Sequence, residues 1–191
     1  IPGLDEEFLY FNDDMFPVGD CKPTDFFREG KGVIGMSRHI LSSNMYKKIC
    51  RNSDQVARRL AGKENSLSFM RPQHICSPIL KSVCSRIYDS NVPEIWQTSR
   101  RRTRTAADLC QYVYLDYMYH KGLMIPEKIS YRHFSLALAS SGRLKDFLTN
   151  PDRKLVCIND VKLSDLKYDE LREAIHEAFE TKFPEKSRFE K

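Results

Sequence analysis

Phe8-Leu9-Tyr10-Phe11-Asn12-Asp13-Asp14-Met15-Phe16 is the stretch on which the fold turns. Its four leading residues are apolar, three of them aromatic, and read as a buried β-strand. They run straight into an Asn and two acids, and apolar residues resume at once. Such a triplet is costly to bury unless it is paired, hydrogen-bonded or metal-bound. Placed at a strand's C-terminal end, it would lie where open α/β sheets put their ligand crevice. A plain Asx-type turn after the strand is the other reading.

Working outward, a second strand carries the same ending. Lys154-Leu155-Val156-Cys157-Ile158 runs into Asn159-Asp160. Between the two lie helical patterns. Met45 and Ile49 with Lys47 and Lys48 between them suggest a helix from Ser43 to Arg51, and Asp54 is placed to cap another over Gln55–Ala61 that Gly62 ends. Pro78 fits the first turn of a helix reaching Tyr88, and Asn91–Trp96 reads as a break. Thr105-Ala106-Ala107-Asp108 has the look of a helix N-cap. The helix that follows carries Tyr112, Tyr114, Tyr117 and Tyr119 and, apolar all round, should be buried. Met70–His74 reads as a loop. Ile129–Leu138 fits strand or helix, Leu144–Leu148 a short helix. Leu171, Ile175 and Phe179 form the apolar stripe of a closing helix over Tyr168–Phe183. Strands at both ends with helices between predict an α/β fold with a mixed sheet and a helical insertion at about residues 43–122. One catalytic domain over residues 1–191 is the expected organisation.

The 191 residues suffice for a real core, and 41% hydrophobic residues with 11% aromatics exclude a disordered chain. A net charge of +5 is too mild for a nucleic-acid arm and suits a phosphate-bearing ligand. None of the six cysteines forms a C-x-x-C pair, which argues against a zinc ribbon or a redox motif of that kind. Reduced thiols in the cytoplasm fit this pattern. There is no 18-residue apolar run. Ile1-Pro2-Gly3 opens the sequence without a Met, as a piece of a longer polypeptide would.

Three polar clusters can carry chemistry. Asn12/Asp13/Asp14 and Asn159/Asp160 offer hard oxygen ligands, which suit Mg²⁺ or Mn²⁺ rather than zinc. His74 can serve as a general base, and Arg104, at the expected entrance to a helix, can clamp a phosphate. A solvated loop histidine and a solvated basic face at Arg100–Arg104 are the bland alternatives. The tyrosine row reads as core, without the basic interleaving of a base-stacking platform.

In order along the chain, these motifs resemble the Stealth family of sugar-phosphate transferases. Phe8–Asp14 resembles the family's second block. The third is matched by His74, Pro93-Glu94, Thr98-Ser99, Arg104, Asp108 and the tyrosine-rich helix, the fourth by Lys154–Asp160 and Phe183–Glu190. The first block, of Trp-Val-Asp/Asn-Gly type, has no counterpart and would lie upstream of Ile1. The resemblance implies a Rossmann-like or GT-A-like mixed sheet, and transfer of a hexose 1-phosphate, often N-acetylhexosamine 1-phosphate, from a UDP-sugar donor to a hydroxyl of a glycan or capsule polymer. A phosphodiester forms and UMP leaves. It further implies His74 as base, Arg104 on the transferring phosphoryl group, Asp13 and Asp14 in catalysis, and Asp14 and Asp160 on metal. Asn12, Arg102 and Asn159 would hold substrate. An alternative division makes an Asp of the first cluster the base. A cytoplasmic location, at the inner face of the membrane, is part of the same expectation. The rival readings are a metal-dependent phosphoesterase and a non-catalytic polyanion-binding domain.

Overall fold

A computed structural model describes residues 3–159 and 161–188. Along the chain come β1 (Glu7–Tyr10), β2 (Met15–Pro17), β3 (Phe27–Arg28), β4 (Lys31–Val33), β5 (Met36–His39) and the long helix α1 (Met45–Leu60). They are followed by β6 (Phe69–Pro72), β7 (Ser77–Leu80), α2 (Lys81–Asp89), α3 (Pro93–Arg100), α4 (Tyr112–His120) and β8 (Met124–Ile125). The chain closes with β9 (Tyr131–Ser135), α5 (Ser141–Thr149), β10 (Leu155–Asn159) and α6 (Asp165–Lys182). The fold is α/β, with short sheets among helices. Two compact units are present, one of Ile1–Tyr10 with Lys22–Ile129, the other of Phe11–Cys21 with Ser130–Lys191.

In the first unit β1 pairs antiparallel with β7, β5 with β6, and β3–β4–β8 form a small mixed sheet. The core lies where α1 packs on α4 and β6. Ile49, Val56 and Ala57 of α1 are buried there with Val113, Leu115 and Met118 of α4 and Phe69 of β6. Helix α1 is N-capped by Asn44, whose Oδ1 accepts from the Lys47 N–H at 2.9 Å, and Gly62, at φ +72°, lies just past its end.

The second unit is built on the sheet β2–β10–β9, with β10 central, antiparallel to β2 and parallel to β9. Leu155–Ile158 are buried on both faces, as a continuous apolar run requires. Helices α5 and α6 pack together, and Leu144, Leu148, Val156, Ile158, Leu171 and Ala178 make the core. The expected stripe of Ile175 and Phe179 lies against it. Among the described residues no helix is long and apolar enough to cross a membrane.

Several local expectations are corrected. The opening strand forms, but it is half-buried, with Tyr10 44% exposed, because it belongs to a two-stranded sheet. Asp54 caps nothing: α1 runs unbroken through it, and its carboxylate is buried. Pro78 lies in β7, whose one ladder partner is β1, an edge setting that tolerates a missing N–H. Met70–Pro72 belong to β6 rather than to a loop. Pro93 does not break the chain but opens α3, where its fixed φ suits the first helical position.

Candidate functional site

In the second unit the triplet Asn12–Asp14 forms the turn into β2. The Met15 N–H donates to the Asn12 carbonyl at 3.2 Å, and the Ile158 N–H donates to the Asp14 carbonyl at 2.7 Å. This second bond ties the turn to Ile158, the residue before Asn159 in β10. The Cys157 thiol donates to Asp14 Oδ2 at 3.4 Å. Burial, with the charge and hydrogen bond of Asp14, pushes that thiol up to about 12. Asp13 and Asn159 are exposed and Asn12 is half-buried. The donors of this turn are amide and carboxylate oxygens, a set that fits Mg²⁺ or Mn²⁺. Asp160 lies outside the described residues, as do Phe189 and Glu190.

In the first unit His74 is half-buried just after β6. Its Nδ1 is 2.9 Å from the Tyr112 hydroxyl, which in turn is 3.2 Å from the Tyr46 hydroxyl. The Tyr46 ring meets the imidazole edge-on at 6.2 Å between centroids. Burial raises both phenols well above their ordinary range, so they stay neutral hydrogen-bonding groups. The pair fixes the plane and position of the imidazole, as a base needs.

Arg104 and Arg102 are exposed. Arg104 does not stand at a helix entrance, because α4 begins only at Tyr112 and the Arg run follows the end of α3. Arg101 of the run has a fixed partner: its Nη1 donates to Asp108 Oδ1 and, at 2.6 Å, to Thr105 Oγ1. Asp108 Oδ2 also accepts from the Thr105 N–H at 2.6 Å. That backbone hydrogen bond and the neighbouring Arg101 hold the Asp108 carboxyl below the ordinary carboxylate range. The predicted cap motif therefore ties a loop, not a helix start, and presents Arg102 and Arg104 at its surface.

Sequence reasoning did not find Tyr46 or Tyr112 as partners of His74. It also missed a buried charged cluster between α1 and α4. Asp54 receives the Arg58 Nε at 2.7 Å and lies 2.8 Å from His120 Nε2. Nearby Asp116 is wholly buried, and neither of its carboxylate oxygens has a hydrogen-bond partner among the described residues. Burial, then the charge of Asp54, raises its pKa well above the usual value. The one available signal was an acid inside each of two otherwise helical apolar patterns.

The fold and these clusters define an α/β protein with a hydrogen-bonded histidine in one unit and an oxygen-rich turn in the other. No family profile matches the chain. Curated relatives do. An exopolysaccharide phosphotransferase of Streptomyces coelicolor is 29% identical over 204 aligned residues, covering 100% of this chain and 34% of its own length. One from Lactiplantibacillus plantarum is 25% identical over 221 residues, covering 100% of this chain and 65% of its own. A capsular polysaccharide phosphotransferase of Haemophilus influenzae is 30% identical over 181 residues, covering 86% of this chain and 49% of its own. The chain is thus a homologue of the capsular and exopolysaccharide phosphotransferases, the Stealth-type proteins that its motifs resemble. It spans between about a third and two thirds of these three relatives' lengths.

Proposed function

We propose that this chain is the catalytic part of a sugar-phosphate transferase of capsule or exopolysaccharide synthesis. It moves a hexose 1-phosphate, of the N-acetylhexosamine kind, from a UDP-sugar to a glycan hydroxyl, forming a phosphodiester and releasing UMP. The observation that carries this is similarity along the whole chain to polysaccharide phosphotransferases. The hydrogen-bonded His74 adds to it.

The acceptor hydroxyl attacks phosphorus, so its proton must leave as the new P–O bond forms. His74 takes it, held in orientation by Tyr112 and Tyr46. Arg104 and Arg102, presented by the loop that Arg101 and Asp108 tie down, meet the negative charge that develops on the phosphoryl oxygens. Asp13, Asp14 and Asp160 would hold Mg²⁺ or Mn²⁺, which neutralises the diphosphate when bound. Asn12 and Asn159 contact substrate. The reaction belongs in the cytoplasm at the inner face of the membrane, where a UDP-sugar and a growing polymer meet.

The test is UMP release by the full-length protein with a UDP-sugar and a glycan acceptor, for wild type, His74→Ala and Arg104→Ala. Each variant should fall more than about tenfold, or about 1.4 kcal/mol of barrier. A variant within that margin loses its assigned role. Phosphate release without acceptor would instead mark a phosphoesterase.

A further inference from the structure

His74 has a support at its backbone as well as at its ring. The ladder of β5 with β6 ends on the pair Met36 and Pro72, and a further rung lies just outside the strands: the Gln73 N–H donates to the Gly35 carbonyl at 2.7 Å. The Gln73 side chain then does what another strand would do. Its Nε2 donates to the Ile129 carbonyl at 2.8 Å, and its Oε1 accepts from the Ile129 N–H at 3.0 Å. A primary amide carries a donor and an acceptor side by side, so it can close both backbone groups of one residue at once. Ile129 is buried, and its backbone groups need such partners. The Gln73 carbonyl in turn accepts from the Ile75 N–H at 2.9 Å, which turns the chain at His74.

Gly35 shows how closely these segments approach. Its φ is not positive, so it is a glycine for space and not for its backbone angles. A Cβ there would stand 2.8 Å from Gln73 Oε1 and 3.0 Å from Lys128 Cγ. The first is closer than a Cβ can stand, so a larger residue pushes the amide off Ile129. Gly35, Gln73 and the 128–129 segment thus meet directly before His74, all within the first unit.

We propose that Gln73 is a positioning residue for His74, its side-chain amide fixing the backbone from which the imidazole projects. The proposal rests on the reading of His74 as the base. A base must meet the acceptor hydroxyl within hydrogen-bond reach, and a misplacement of about 1 Å costs on the order of a hundredfold in rate. Tyr112 holds the ring at Nδ1. A hydrogen bond at one ring nitrogen leaves the imidazole free to pivot about that point, and a second anchor at the backbone removes the freedom. Without the amide, the Ile129 N–H and carbonyl lose their partner and the turn over residues 73–75 is released on that side.

NMR of the full-length protein carrying isotope-labelled histidine reads the imidazoles directly, with the His74 signal identified by its loss in His74→Ala. Gln73→Leu removes both side-chain hydrogen bonds at similar size, and the His74 signal should move as the ring shifts against Tyr46. Gly35→Ala should move it too, with Gln73 itself intact. The His120 signal should stay in place in both variants, because His120 is bound to Asp54 between α1 and α4. In phosphodiester formation, kcat should fall at least about tenfold with KM little changed. A His74 signal unmoved in either variant overturns the proposal. So does a His120 signal that moves as far as that of His74 in both, which would make the amide a support of the whole unit. A moved His74 signal with unchanged kcat upholds the positioning by Gln73 and refutes His74 as the base, so the two failures are told apart.

Discussion

Replacing Asp116 with Asn should stabilise the protein in a way that grows with pH. The wild-type carboxyl is wholly buried, both oxygens lack a partner among the described residues, and the charge of the Asp54 carboxylate adds to the effect of burial, opposed in part by Arg58. Its native pKa is therefore raised above the ordinary 3.8. For an acid shifted in that direction the native state holds the proton more tightly than the unfolded chain. The stability this contributes is complete below the unfolded value and is lost as pH rises through the native one. Between the two, the wild type loses about 1.4 kcal/mol per pH unit through this one group. Asn does not titrate and is of similar size. The stability difference, variant minus wild type, should thus be smallest near pH 4 and rise at up to about that slope, levelling once pH passes the native value. Urea unfolding at pH 4, 5, 6 and 7 measures it, because titrations shared by both proteins cancel in the difference. The single tryptophan, Trp96, lies in the same unit and packs edge-on against Tyr88 at 5.2 Å, so its fluorescence reports the transition. A difference that is flat across this range would refute the assignment of Asp116 as a proton-holding buried acid.

Asn44→Ala should lower the unfolding free energy read from the same signal by about 1 kcal/mol, since the Lys47 N–H loses its cap, and Asn44→Asp should retain most of it. Leu148→Ala empties a fully buried position in the core of the second unit. Hydrogen exchange of α5 and α6 amides should show about 2–5 kcal/mol less protection, while α1 amides stay unchanged. Tyr112→Phe removes the hydroxyl between His74 and Tyr46. Sugar-phosphate transfer should fall about tenfold, with a stability loss of only about 1 kcal/mol in denaturant.

What could be read from the sequence is what local pattern determines. Leu155–Ile158 had to be a strand covered on both faces, and α6 showed its face through Leu171, Ile175 and Phe179. The burial of α4 followed from apolar groups around its whole circumference. The errors share a cause, which is that distant partners override local preference. Asp54 was placed to cap a helix that Gly62 ends, yet it lies inside α1, where Arg58 and, 66 residues away, His120 satisfy its carboxylate. Pro78 looked like a helix start because nothing in its neighbourhood announced that β1 would pair with it. The same holds for the candidate site. That a strand over Leu155–Ile158 runs into Asn159, and that Asn12–Asp14 follows one, was legible because each pattern is local. The Tyr112–Tyr46 support of His74 was not, because it joins three elements far apart in the chain.

Transfer of the sugar together with its phosphate is the claim on which the function rests, and phosphorus NMR follows it directly. The full-length protein is incubated with a UDP-sugar, Mg²⁺ and a glycan acceptor, and the fate of the sugar-linked phosphorus is recorded for wild type and His74→Ala. A new phosphodiester resonance on the glycan with stoichiometric UMP, reduced more than about tenfold by His74→Ala, is the predicted result. Release of UDP with a phosphorus-free glycan product, or phosphodiester formation unaffected by His74→Ala, would contradict it.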